Sequence, residues 1–212
     1  MNCNELYRPS LSGRVRIFEK ENPDKVLFDE KNLILNGTSW LFSQLLFDHS
    51  QVSKSVWGLA IGQGESTWDE NLPDPVATDY SILYPFYLSS GSQIPLRIAL
   101  SSAQTHFIDP ITLQATTWST TVDFQTNIST TIYPELQGQK VRELGLIGGI
   151  SPDSFSTSPF FNPSVPDQDS VILVNLKRFQ GLQLPDGVNF IISWNLSFLK
   201  VNLVDNELYT SR

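Results

Sequence analysis

The segment VNFIISWNLSFLKV, residues 188–201, alternates. Val188, Phe190, Ile192, Trp194, Leu196 and Phe198 fall on one side of an extended chain, and Asn189, Ile191, Ser193, Asn195 and Ser197 fall on the other. Successive side chains of a strand point to opposite faces, so a period of two leaves one face dry and the other mostly wet. A helix would scatter the same six apolar residues around its axis. The segment therefore reads as a half-buried antiparallel strand. Upstream, SVILVNLKRF (170–179) reads as a second strand. Between the two, Pro185, Asp186 and Gly187 supply turn residues, so the pair forms a hairpin with a long connection.

The same reading gives strands at GRVRIFEK (13–20) and KVLFDEKNLIL (25–35), joined by a turn at Asn22-Pro23-Asp24. It continues with VWGLAIG (56–62), PLRIALSSAQTHFI (95–108), TWSTTVDFQTNI (117–128) and KVRELGLIGG (140–149). Loops rich in Pro, Ser, Asp and Gly separate them, which suits an antiparallel sandwich or barrel better than βαβ units. NGTSWLFSQLLFDHSQ breaks the pattern. Thr38 or Ser39 can cap a short helix there, with Leu41, Phe42, Leu45 and Leu46 on one face. The expected fold is all-β, an antiparallel, jelly-roll-like β-sandwich with one short α-helix. It forms a single domain over 13–201, between an amino-terminal arm (1–12) and a carboxy-terminal tail (202–212).

With 212 residues the chain can bury a core without staples, and its one cysteine, Cys3, excludes an internal disulfide framework. The longest apolar runs fall far short of the about 20 residues a membrane-spanning helix needs. MNCNELYRPSLSGR lacks the apolar stretch of a secretory signal. These features predict a soluble chain made in a reducing cytoplasm, with no membrane span. A net charge of −8, with only 14 Lys and Arg residues spread along the chain, argues against a nucleic-acid partner.

Enzyme chemistry finds little support. The sequence lacks G-x-S-x-G, and His49 and His106 have no recognisable triad around them. Gly62-Gln63-Gly64 ends a strand but leads into acids rather than into the Lys and hydroxyl of a phosphate cradle, so the glycines read as a tight exit into a loop. Glu65, Asp69, Glu70 and Asp74 do not have the spacing of a calcium loop. No cofactor or metal is expected. Glu143 lies in an apolar strand and, if it points inward, needs a cationic partner, for which Arg97 and Arg178 are candidates. Trp68 either tucks against its own domain or anchors a neighbouring subunit.

Several stretches, in order, carry a resemblance: "NLILNGTSWLFSQLL", "WGLAIGQG" with "WD" shortly after, "VDFQT", "VRELGLIGG", and "VNLKRF" followed by "FIISWNLSF". Over roughly residues 13–200 the chain resembles small structural proteins of tailed phages and of phage-tail-like contractile injection systems. The resemblance implies a non-enzymatic structural protein, a baseplate, cap or fibre-associated component that forms homo-oligomers. Its partners would be tube, sheath, baseplate or spike proteins, with synthesis and assembly in the cytoplasm and a final place in a virion or injection particle. Contact residues are expected in the long loops, at Trp68, Asp69, Phe155, Phe160 and Phe161. An alternative is a carbohydrate-binding β-sandwich, a receptor-binding fibre or lectin-like module, with Trp57, Trp68, Trp118 and Tyr residues stacking on sugars. A third reading, a sandwich hydrolase, would need clustered carboxylates. Deleting 155–165 should leave a folded chain that no longer joins its particle; unchanged incorporation in a reconstitution assay would refute that placement.

Overall fold

The alternating segment is the strand Phe190–Ser197, and its large side chains face a core shared by two halves of one sheet. The structure is a computed structural model that describes residues 11–47, 55–88, 94–100, 104–109, 111–149 and 170–198, together with Phe160, Asn162 and Ser164. In chain order the elements are β1 (Ser12–Glu19), β2 (Asn22–Ile34), α1 (Gly37–Phe47), β3 (Val56–Gly62), β4 (Arg97–Ala99), β5 (Thr105–Ile108), β6 (Ala115–Thr116), β7 (Thr121–Ile128), β8 (Lys140–Gly148), β9 (Ile172–Gln183) and β10 (Phe190–Ser197). The fold is all-β with one helix. Among the described residues the strand order is β4-β3-β8-β9-β2-β1-β10-β7-β5-β6, with every neighbouring pair antiparallel.

The long strand β2 belongs to both halves. Its earlier part pairs with β1, matching Ile17 to Phe28 and Gly13 to Asn32, while Leu33 and Ile34 pair with Leu176 and Asn175 of β9. In the half made of β1, β10 and β7, register places Val15 opposite Trp194 and Trp194 opposite Phe124, an apolar row across three strands. Leu59, Ile61, Leu144, Leu146 and Val174, from β3, β8 and β9, complete the same core. Trp194 is fully buried; removing a side chain of this size from water contributes about 1.5–3 kcal/mol or more.

β3 and β8 do not alternate: nearly every residue in both is buried. Each has one face on the shared core and the other on a second cluster of Leu35, Trp57, Ala60, Ile82, Ile147, Val171, Leu173 and Leu176. Strands covered on both faces need continuous apolar runs, which explains VWGLAIG and LGLIGG.

Several expectations shift: β9 and β10 do not pair as a hairpin, since β9 lies between β8 and β2 and β10 between β1 and β7, and several boundaries move. The segment 95–108 divides into β4, which pairs with β3, and β5, which pairs with β7 across the molecule. The reversal expected at residues 22–24 occurs at Lys20-Glu21. Asn22 pairs with Glu19, and the irregular register beside Phe18 accommodates Pro23, which has no N–H to donate. Thr38 does not cap its own helix; its hydroxyl donates to the Val174 carbonyl at 2.6 Å and ties α1 to β9. Gly37 must be glycine, since a Cβ there would stand 2.3 Å from the Leu173 oxygen. The expected apolar helix face is narrower than Leu41, Phe42, Leu45 and Leu46. Leu41 is buried, Phe42 packs its ring 5.5 Å from Phe198, and Leu46 is 77% exposed.

Candidate functional site

Glu143 on β8 has no solvent exposure, and Arg178 lies opposite it on β9. A register shift between Val141 and Glu143 reverses the phase of β8. Val141 joins Leu144 and Leu146 in the shared core, rather than sharing a face with Glu143 as strict alternation would require. Of the two candidate partners, Arg178 is the one that binds: its Nε donates to Glu143 Oε1 at 3.0 Å. Oε2 accepts the backbone N–H groups of Leu83 (3.0 Å) and Tyr84 (3.3 Å). Burial pushes the Glu143 carboxyl above its usual range, and the Arg178 hydrogen bond opposes that rise. Arg178 also pairs with Asp79 at 3.2 Å, and its guanidinium lies 5.4 Å from the Trp68 ring.

These contacts decide what the loop after β3 does. Residues 63–88 fold back as a strap over the outer face of β8 and β9. Gln63 N–H donates to the Tyr84 carbonyl, Phe86 N–H to the Ile61 carbonyl, and Ile82 enters the second cluster. Within a 3-10 turn at Ser66–Asp69, Trp68 is only 5% exposed. Asp69 accepts from Lys140 Nζ (2.6 Å), Arg142 Nε (2.9 Å), Arg142 Nη2 (3.0 Å) and Gly181 N–H (2.8 Å). Arg142, then Lys140, then Gly181 hold its carboxyl far below the usual carboxylate range. Two residues expected at a partner contact are therefore engaged within their own chain.

The Gly62-Gln63-Gly64 stretch is likewise a packing device. A Cβ on Gly62 would meet Ile82 at 2.6 Å and Glu143 Oε2 at 2.9 Å. Gly64, at φ +58°, would press on Arg142 and on the Trp68 ring, both at 2.7 Å. The glycines let the strap leave the strand directly over the buried ion pair.

Phe160 is half-buried, with the Arg97 guanidinium 4.7 Å from its ring and a parallel bridge to Val171. Phe155 and Phe161, like His49 and Cys3, lie outside the described residues. His106 Nε2 stands 3.4 Å from Asp123 Oδ2, while Asp123 Oδ1 accepts the Ser193 hydroxyl at 2.7 Å. A carboxylate sits between Ser and His, so the imidazole does not reach the hydroxyl it would have to deprotonate, and the group ties β5, β7 and β10 together. Among the described residues no cluster of three or more His, Cys, Asp or Glu side chains could hold a metal ion.

Sequence reasoning named Trp118 only as a sugar-stacking candidate and missed the exposed Ile111 and Leu113. Ile111 is 81% exposed, Leu113 51% and Trp118 78%, all beside the edge strand β6. Trp118 precedes β7 instead of lying within it, so it has no sheet to bury it. The tip is rigid. Asp109 Oδ1 accepts the N–H groups of Ile111 (2.9 Å) and Thr112 (2.7 Å), and Leu113 N–H donates to the Asp109 carbonyl at 2.9 Å. Leu113 sits at φ +58°, an unfavourable region for a branched side chain. The available signal was ITLQATTW itself, in which apolar residues punctuate a polar stretch without either period. No family model, curated protein or solved structure matches the chain.

Glu143→Ala should reduce stability in denaturant unfolding, toward the about 3–5 kcal/mol of a broken buried pair, because Arg178 keeps its buried charge with only Asp79 to pair it and the Leu83 and Tyr84 N–H groups lose their acceptor; a loss under ~1 kcal/mol would contradict the pairing. Asp69 carries the opposite pH signature. Its folded-state pKa is depressed, so its contribution is present above the unfolded value of about 3.9 and fades as pH falls below it. Asp69→Asn should be less stable than wild type at pH 7, and the gap should narrow between about pH 4 and pH 3. A gap that is constant across that window would remove the carboxylate from the account.

Proposed function

We propose that this chain is a non-enzymatic structural component of a phage tail or contractile injection particle, present in multiple copies and held by apolar contacts. The supporting observation is the exposure of Ile111, Leu113 and Trp118 on either side of β6: large apolar side chains left in water, two of them on a turn held by hydrogen bonds. Rigid exposed aromatic anchors of this kind suit protein association, where they bury much area at little entropic loss. The strap adds Tyr80, Leu83 and Tyr87 as further exposed groups on a preorganised surface. The particle class rests on the resemblance in the order of the sequence stretches; the tip supports assembly in general.

Of the aromatics the carbohydrate reading would stack on sugars, Trp57 and Trp68 are buried, and Trp118, Tyr80 and Tyr87 face solvent. In a mass-spectrometric inventory of the particle that co-purifies with the native chain, tube and sheath proteins should be present, and Trp118→Ser should fold normally yet be depleted from it. An inventory without particle proteins, or undiminished incorporation of the variant, would reject the respective claim.

A further inference from the structure

We infer that the strap is a latch: residues 64–83 lift from β8 and β9 as one unit while both halves of the sheet stay folded. Its roots and its span are held differently. At the roots the bonds are those of a ladder, with Gln63 N–H donating to the Tyr84 carbonyl at 2.7 Å, Phe86 N–H to the Ile61 carbonyl at 3.3 Å and Leu96 N–H to the Phe86 carbonyl at 2.6 Å. Across the span, Trp68 and Ile82 are the buried side chains, and the rest are half-buried or exposed. Charge supplies most of the other ties. Asp69 reaches Lys140, Arg142 and the Gly181 N–H, Asp79 pairs with Arg178, and Glu143 accepts the Leu83 and Tyr84 N–H groups. A backbone bond from Asn36 N–H to the Ala77 carbonyl, at 2.9 Å, holds the middle of the strap to the residue before α1.

Segments with few buried apolar contacts and many polar ones open before a protein unfolds as a whole. Lifting the strap gives up the burial of two side chains, but it strands no charge. Asp69, Asp79, Lys140, Arg142 and the second Glu143 oxygen all meet water, and Arg178 keeps its 3.0 Å bond to Glu143 Oε1 from the neighbouring strand. Because water replaces each lost partner, a broken bond of this kind has a small net cost. β8 cannot leave in that way. Nearly all its residues are buried, and it is laddered on both sides, to β3 and to β9. The open state also bares a definite surface. Ile82 sits over Gly62 and Gly145, where an added Cβ would stand 2.6 Å and 3.6 Å from its side chain. Its departure opens a strip floored by those glycines, beside Leu173 and Leu176 of the second cluster and next to the Glu143–Arg178 pair. One sheet thus carries two faces, a covered one and an apolar one, and the charges of the strap set the balance between them.

Amide hydrogen exchange on the full chain tests this. The N–H groups of Asn36, Leu83, Tyr84 and Gly181 are the reporters, because each donates across the contact between strap and body. The four should share one opening equilibrium, populated at least roughly tenfold more than the opening that exchanges the amides of β7 and β10. Ile17→Val in β1 should speed exchange in β7 and β10 by about two- to tenfold and leave the four reporters unchanged, since Ile17 is packed alike whether the strap is open or closed. Asp69→Asn should speed the reporters by roughly tenfold, through the loss of charge-assisted bonds to Lys140 and Arg142. Asp79→Asn, which weakens the pair with Arg178, replaces it if that variant fails to fold. Reporters that exchange only together with β7 and β10, and that respond equally to Ile17→Val, would make the strap part of the global unit and overturn the latch. Four unrelated opening equilibria would overturn it as well, since the strap would then fray residue by residue. Reporters indifferent to the loss of either acid would remove charge as the force that closes it.

Discussion

A carboxylate with no access to water, at the centre of an apolar sheet, sets the terms for this molecule. An unpartnered charge at Glu143 would cost several kcal/mol, so the surrounding chain has to deliver donors to both oxygens. Arg178 serves one from the neighbouring strand. The N–H groups of Leu83 and Tyr84 serve the other, and those belong to a segment some sixty positions away in sequence. Satisfying Glu143 is therefore inseparable from folding the strap over β8 and β9. Once that happens Trp68 is covered, Asp69 reaches Lys140, Arg142 and the Gly181 amide, and the second apolar cluster closes around Ile82. A hydrophobic pair of similar volume could match or exceed the ion pair in stability. It could not select one path for the strap, because apolar contacts lack the direction that three N–H donors impose.

What could be read from the residues follows from how local each constraint is. Period two in residues 188–198 is decided within the strand, and the register of β10 between β1 and β7 agrees with it throughout. The need for a cation beside Glu143 was legible for the same reason: a charge in an apolar run demands a partner wherever the strand goes. The phase of β8 was not legible, since the bulge before Glu143 arises only when β9 is laid beside it. Nor was the double membership of β2, which depends on β9 reaching its last two residues from 140 positions away.

The contact residues show the same division more sharply. An aromatic among acids and prolines can either tuck against its own domain or anchor a neighbour, and Trp68 does the former because Arg178 and the strap's own fold enclose it. An aromatic at the start of a β-rich segment looks buried, yet Trp118 lies one turn too early for the sheet to cover. Side-chain type predicts burial only through the neighbours that the topology brings, and for both tryptophans those neighbours are distant in sequence.

Where the cations are placed then says where association can occur. Arg178 serves Glu143 and Asp79; Lys140 and Arg142 serve Asp69; Arg14 serves Asp29; Lys177 serves Glu30. Much of the positive charge is thus used in joining strands or pinning the strap, while the excess of acids leaves a negative field over the surface. At physiological salt that field decays over about 8 Å, a distance comparable with the reach of a side chain. A neighbour bearing the same net charge is repelled until apolar groups touch, and binds only if those groups project from the surface and bring no acid with them. Ile111, Leu113 and Trp118 project in this way on either side of β6, and the Asp109 carboxylate beside Ile111 is hydrogen-bonded to the Ile111 and Thr112 amides.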